Sequence, residues 1–288
     1  MEEKRYGKAI GLREHQLIML DILSAFADFC DEHKLQYFLD AGTLLGAVRH
    51  RGFIPWDNDM DLCMLRPDYD RFCEIVKRQG GKLSENLRVE FPEDTIYPYL
   101  KIVDTRTRLI EFPEKYPLET GIYLDLFCKD GIKDDSLSTK LLCKTSEFLD
   151  LAYWFNRFSV YSWEKNGNAA QKLIAAVGRK TIHRPTRPIE LQRRLLRWNA
   201  RKHPLESCRY VTTLSNGEFH KRAPKECFSE AVMLPFEGRD YPCPVGYDSY
   251  LKCLYPGDYM QLPPPEKRGV HHVQVCWREL RGTGETET

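Results

Sequence analysis

The chain has 288 residues, with 43 Lys and Arg against 42 Asp and Glu and a formal net charge of +1. That balance gives no global case for a nucleic-acid partner and leaves any polyanion-seeking surface to local patches. The length is ample for one continuous unit with a buried core. No stretch approaches the roughly 18 uninterrupted apolar residues of a membrane-spanning helix, and the N-terminal MEEKRYGKAIGLREHQ has no apolar core of a secretory signal. The ten cysteines stand singly, without CxxC pairs, so the expectation is a cytoplasmic protein with reduced, mostly buried thiols.

Residues 12 to 33 space Leu17, Leu20, Ile22, Leu23, Phe26, Phe29 and Cys30 as one apolar stripe, which predicts an amphipathic helix. Tyr37-Phe38-Leu39 reads as a buried strand that delivers the chain to a turn at Gly42-Thr43, and Thr43 to Val48 as a short helix starting there. After an irregular loop around Gly52, Phe53, Pro55 and Trp56, Met60, Leu62 and Met64 alternate with Asp59, Asp61 and Cys63. On a strand, residues two apart face one side, so Asp59 and Asp61 are expected to converge. Pro67 opens a helix to about Arg78, stopped by Gly80-Gly81.

Four short β-like runs follow, at Arg88 to Phe91, Tyr99 to Asp104, Arg108 to Phe112 and Ile122 to Cys128. The last, within GIYLDLF, carries Asp125 as a lone acid in an apolar strand, which needs a partner or a function. Most such acids are structural. From about 136 to 203 the pattern is helical and basic, with Arg179, Lys180, Arg184, Arg187, Arg193, Arg194 and Arg197 among its charges. A solvated face is the plainer reading; a surface for an anionic acceptor or a membrane leaflet is the functional one. The C-terminal third is rich in Pro, Gly and aromatics, with short strands and one helix over Tyr247 to Leu254, and residues 282 to 288 are expected to be a disordered tail.

Asp57, Asp59 and Asp61 lie within five positions, a concentration of charge that calls for a cation. Two same-face carboxylates with a third on another strand form a hard oxygen set suited to Mg²⁺ or Mn²⁺, and Mg²⁺ completes its shell with phosphate oxygens. Gly42 lets backbone amides approach a phosphate, Thr43 adds a hydroxyl, and the helix start adds a favourable dipole. Lys101, Arg49 or Arg51 would neutralise the remaining charge. Trp56 and Asp57 read as loop-shaping residues, with Asp57 as a direct ligand the alternative.

This layout, a strand ending in a Gly-Thr turn, a D-x-D strand and a lone Asp on a later strand, resembles the nucleotidyltransferase fold. The segment GTLLGAVRHRGFIPWDNDMDL closely resembles the signature of the LicD-type choline-phosphate transferase family, related to the fukutin group. KIVDTRTRLI, GIYLDLF and YLKCLYPGDYMQLPPPEKRGVHH also look like the family pattern, so the resemblance covers most of residues 14 to 272. Two positions depart from it: Asn58, where many relatives carry Asp, and Pro256 in YPGDYM.

The resemblance implies an α/β (α+β) fold, a nucleotidyltransferase-like mixed sheet flanked by helices, in a single domain over 1 to 281 with a helical insertion and an irregular C-terminal segment. It implies transfer of a substituted phosphate from a CDP-linked donor to a hydroxyl of a glycan or glycolipid, releasing CMP. Asp59, Asp61 and Asp125 would hold the metal, with Asp125 also a candidate base for the acceptor. Gly42 and Thr43 would hold the donor diphosphate, and Lys101 and Arg49 its charge. Tyr259, Arg268, His271 and His272 are further candidates for substrate contact. The histidine pair reads, without the resemblance, as exposed or simply hydrogen-bonded. Two alternatives stand: a small-molecule nucleotidyltransferase using a nucleoside triphosphate, and an inactive relative used as a binding module.

Overall fold

The apolar stripe of residues 12–33 winds into α1 (Leu12–His33), burying Ile18, Met19, Ile22, Leu23, Phe26, Phe29 and Cys30 along one face. It stops at Lys34, which takes the left-handed conformation with φ 54° and returns its N–H to the last turn. The computed structural model describes residues 7–95, 97–111, 118–134, 136–141, 143–145, 201–214, 221–269 and 273–278, together with Ala169, Lys172 and Trp198. Most of the basic segment 136–203, His271, His272 and the tail therefore lie outside the described residues.

Strand β1 (Phe38–Leu39) feeds directly into α2 (Ala41–His50). The helix begins two residues earlier than expected, so Gly42 and Thr43 occupy its first turn and not a connecting loop. The cause is Asp40, whose carboxylate accepts from the Ala41 N–H at 2.9 Å, while Ala41 bends the chain with a φ of 42°. Next, β2 (Asp61–Leu65) passes into α3 (Arg66–Arg78), which carries Pro67 in its first turn and is followed by Gly80 and Gly81 at φ 73° and 80°. Because β2 starts at Asp61, Asp59 precedes the strand and approaches Asp61 through the loop, not through strand alternation.

The sheet is completed by β3 (Leu87–Glu90), β4 (Leu100–Glu111), β5 (Leu118–Ile132), β6 (Tyr210–Thr212), β7 (Ala223–Pro224) and β10 (Val273–Trp277). Its spine runs β1-β2-β5-β4-β10, with β3 on β4 and β6 linking β5 to β7. Only the β2–β5 pair is parallel among the described strands. A hairpin of β8 (Ala231–Phe236) and β9 (Arg239–Pro244) packs beside it, and α4 (Tyr247–Leu254) matches the expected C-terminal helix. Helices α1 and α3 meet through edge-to-face rings, Phe26 on Phe72 at 5.5 Å and Phe29 on Phe72 at 5.6 Å. The fold is thus a mixed sheet flanked by helices. All ten cysteines are free thiols, and among the described residues no helix is long and apolar enough to cross a membrane.

The runs expected as separate strands at 99–104 and 108–112 are one strand, β4, whose register against β5 shifts between Asp104 and Leu109. Thr107 seals the irregularity: its hydroxyl donates to the Asp104 carbonyl at 2.8 Å and accepts from the Ile122 N–H at 2.7 Å. Arg106 folds back onto the buried Asp104 carboxylate at 2.6 Å. Opposite, Gly121 leaves room for this bulge, since a Cβ there would stand 2.2 Å from the Asp104 carbonyl oxygen. Gly121→Ala is expected to destabilise the protein by about 1–3 kcal/mol through overpacking. Gly80→Ala, which meets no atom within 4 Å and only the backbone strain of φ 73°, should lose about 1–2 kcal/mol. Urea denaturation of both variants checks the order.

Candidate active site

Two strand registers assemble the site. The parallel β2–β5 pairing sets Asp61 beside Asp125, and the antiparallel β4–β5 pairing sets Lys101 beside the same Asp125. Side chains directly opposite on paired strands share a face, so acid, acid and amine stand in a row across three strands. Lys101 Nζ donates to Asp125 Oδ1 at 2.8 Å, with the two residues 1 % and 7 % exposed. The Lys101 ammonium is also boxed by tyrosines, 3.2 Å from the ring centre of Tyr123, 4.1 Å from Tyr97 and 5.4 Å from Tyr99. Sequence reasoning placed Lys101 on a donor phosphate; here it is committed to Asp125 and the rings.

The loop before β2 brings the remaining carboxylates to the end of this row. Burial, followed by the charges of Asp59, Asp125, Asp40 and Asp57, holds the Asp61 carboxyl well above the usual carboxylate range. Burial pushes Asp57 up to about 9, with the charge of Asp59 and a hydrogen bond to it adding to the effect. Asp125 is pushed up to about 7 by burial, while Lys101 pulls it the other way. Four acids therefore share one low-dielectric site with Lys101 as the compensating cation beside Asp125. Gly42 stands in the first turn of α2 against this loop, where an added Cβ would lie 3.0 Å from Asp57 Oδ2. Its small size is needed for the approach of the Asp57 carboxylate.

Beneath the carboxylates lies a buried network that sequence reasoning missed. The Asp40 N–H donates to the Asp61 carbonyl at 2.9 Å, and the Asp61 N–H donates to the Thr43 hydroxyl at 2.8 Å. The Asp40 carboxylate accepts from the Tyr250 hydroxyl at 2.5 Å and pairs with Lys129 Nζ at 2.6 Å, and Lys129 also reaches the Thr213 hydroxyl at 3.1 Å. On the other side, the buried Gln16 of α1 donates to the Asp57 carbonyl at 2.9 Å. Its neighbour His15 is pushed down to about 4 by burial, against the opposing pull of Asp59. No local pattern marks Gln16, Lys129 or Tyr250, because each finds its partner only through tertiary contact.

The outer residues are placed as follows. Arg49 donates to the backbone carbonyls of Tyr259 at 2.8 Å and Gln261 at 3.2 Å, clasping the C-terminal segment to α2. Trp56 lies between His50, 6.5 Å away by ring centres, and the Arg268 guanidinium at 5.0 Å. Arg268 is itself held by the Pro263 carbonyl at 2.8 Å, and Tyr259 donates its hydroxyl to Asp248 at 2.7 Å. His271 and His272 lie outside the described residues.

The family described as LicD/FKTN/FKRP, nucleotidyltransferase domain, matches residues 34–110, from the C-cap of α1 almost to the end of β4. Beyond that span, the chain is 34 % identical over 280 residues to the lipopolysaccharide cholinephosphotransferase LicD of Haemophilus influenzae, covering 94 % of this chain and 99 % of that protein. The chain belongs to the LicD family. Uncharacterized proteins of Rickettsia typhi and Rickettsia prowazekii are 32 % and 35 % identical over 73 and 60 residues, in each case less than a quarter of either chain. The LicD likeness thus includes Asp125 and the C-terminal helix, which the family match alone does not reach.

Among the described residues, no three His, Cys, Asp or Glu side chains stand together as a finished metal cage. The LicD carboxylates instead offer a few hard oxygen donors at the end of the β2–β5 pairing. That set fits an ion that keeps several of its own waters and substrate oxygens, as Mg²⁺ does, better than one enclosed by protein.

The raised carboxyls couple stability to pH. Both Asp57 and Asp125 have folded-state values above their unfolded ones. The stability tied to their protonated forms is therefore complete below about pH 4, and is lost as pH rises through about 7 for Asp125 and about 9 for Asp57. Without divalent ions, the melting temperature is expected to fall steadily across this window, and Asp57→Asn should flatten the upper part of the decline. Calorimetric scans at a series of pH values in EDTA measure both.

Proposed function

We propose that the chain transfers choline phosphate from a CDP-linked donor to a hydroxyl of a glycan or glycolipid and releases CMP. The observation that carries this reading is the register row of Asp61, Asp125 and Lys101 beside the Asp57–Asp59 loop. Its substrate class is supported by full-length similarity to a protein named a lipopolysaccharide cholinephosphotransferase. Asp59 and Asp61 would hold a Mg²⁺ or Mn²⁺ ion, with Asp125 as a third contact. When bound, the ion supplies charge neutralisation to the phosphates.

Asp125 is suited to take the acceptor proton. Without a metal, burial holds its carboxyl up to about 7, and it would act as the base where it is not itself a contact of the ion. As the acceptor oxygen forms its bond to phosphorus, its proton passes to Asp125 and the bond to CMP breaks, the electron pair leaving with CMP. Lys101, 2.8 Å from Asp125, fixes the carboxylate's position and balances its charge until the proton arrives. Gly42 and Thr43, in the first turn of α2, would present backbone amides to the donor phosphates. The basic segment 136–203 would offer a surface to an anionic acceptor at the cytoplasmic face of a membrane.

Product analysis with CDP-choline, CDP-ribitol and CDP-glycerol tests the reading. CMP release dependent on Mg²⁺ supports it, whereas pyrophosphate release from a nucleoside triphosphate sinks it. Asp125→Asn should lower the rate by about 10²- to 10⁴-fold, and Asp59→Asn and Asp61→Asn should each lower it further while leaving the circular-dichroism spectrum unchanged. In addition, Mg²⁺ should raise the melting temperature of the wild type, more at pH 8 than at pH 6, and leave that of Asp61→Asn nearly unmoved.

A further inference from the structure

A cavity of about 340 Å³ lies on the β4 side of the charge row, with Tyr97, Lys101, Glu111, Glu119 and Thr120 in its wall. Its charges are unevenly compensated. Lys101 is neutralised by Asp125 at 2.8 Å, Glu119 by Arg108 at 2.8 Å, and Glu90 by Arg88 at 2.5 Å. Asp94, also in the wall, is exposed to solvent, and Glu111 differs from all of these. It is 6 % exposed, its carboxylate is held by the hydroxyls of Tyr97 and Tyr123, and among the described residues it has no ion pair with Lys or Arg. A buried carboxylate without a cation is costly unless a ligand supplies one. The Thr120 hydroxyl in the same wall is buried and has no hydrogen-bond partner among the described residues.

The rings around this carboxylate already hold one ammonium, since the Lys101 Nζ sits over both Tyr97 and Tyr123. Tyr97 also faces the cavity, so the same aromatic wall is available to a second cation on the Glu111 side. Lys101 lines this cavity and bonds Asp125 at 2.8 Å, so the cavity adjoins the charge row through that one side chain. We propose, resting on the choline-phosphate reading above, that this cavity holds the quaternary ammonium of the transferred group, with Glu111 as its counter-ion and Tyr97 as its aromatic wall. Donors whose alcohol carries no cation would leave Glu111 uncompensated, which makes the cavity a determinant of donor specificity.

The test uses the full chain and tetramethylammonium chloride as the probe, titrated by calorimetry, with tetrabutylammonium as a size control. The wild type should bind the smaller ion. Glu111→Gln, which keeps the shape, accepts from one tyrosine hydroxyl through its carbonyl oxygen and donates an N–H to the other, should weaken binding about tenfold, and Tyr97→Leu should do the same. In kinetic assays Glu111→Gln should raise KM for CDP-choline about tenfold with little change in kcat, and leave KM for CDP-glycerol where it was. Absence of tetramethylammonium binding to the wild type, or equal binding by both variants with unchanged melting temperatures, overturns the site. Failure here remains distinct from failure of the proposed function. A wild type that transfers choline phosphate while Glu111→Gln keeps its KM refutes only the cavity. A chain that binds the probe through Glu111 but turns over no CDP-linked donor refutes only the reaction.

Discussion

Strand register is the constraint on which the site depends. Moving β5 by one residue against β2 would turn Asp125 to the opposite face of the sheet and leave Lys101 buried without its carboxylate. The bulge at Asp104, Thr107 and Gly121 lies in the neighbouring β4–β5 pairing, where it absorbs an irregularity beyond Asp104 and leaves the Lys101–Asp125 pairing intact. A charged row inside a sheet is therefore secured by a feature several residues away, built from a glycine and a threonine with no part in the chemistry.

A second layer of polar contacts holds the row in depth. Asp40 is the hinge of that layer: its carboxylate gathers Ala41, Tyr250 and Lys129, and its backbone N–H reaches the Asp61 carbonyl. The arrangement joins the head of α2, the start of β2, the far end of β5 and α4 through one buried acid. Buried charges of this kind tolerate little displacement, because every partner lost leaves a desolvated group behind. The carboxylates above can repel one another without spreading because their backbone is tied from below.

Much of this could be read from the chain. The spacing of Phe26, Phe29 and Cys30 gave the boundaries of α1, Pro67 with Gly80-Gly81 marked α3, and the helix over Tyr247 to Leu254 is where periodicity put it. The grouping of Asp57, Asp59 and Asp61 and the lone acid at Asp125 singled out acids that the fold does bring together, since charge at such density has few structural explanations. What stayed hidden depends on pairing across distance. β4 looked like two strands because Thr105, Arg106 and Thr107 interrupt the apolar alternation, and only the partner strand reveals that they form a bulge. The pairing of Lys101 was hidden because nothing local shows that its neighbour is Asp125 and its walls are tyrosines. Tyr250 is buried on Asp40 and Tyr259 is bonded to Asp248, while three other tyrosines surround Lys101.

The link between Asp40 and Tyr250 spans 210 positions of the chain. During synthesis the N-terminal portion emerges first, so Asp40, α2 and both core strands leave the ribosome long before the hydroxyl that completes their buried network. Arg49 waits in the same way for the carbonyls of Tyr259 and Gln261. The buried network beneath the carboxylates is consequently completed late in the life of each molecule, closed by the C-terminal segment like a clasp. Until that clasp arrives, the nascent chain carries its cluster of acids on an unfinished floor.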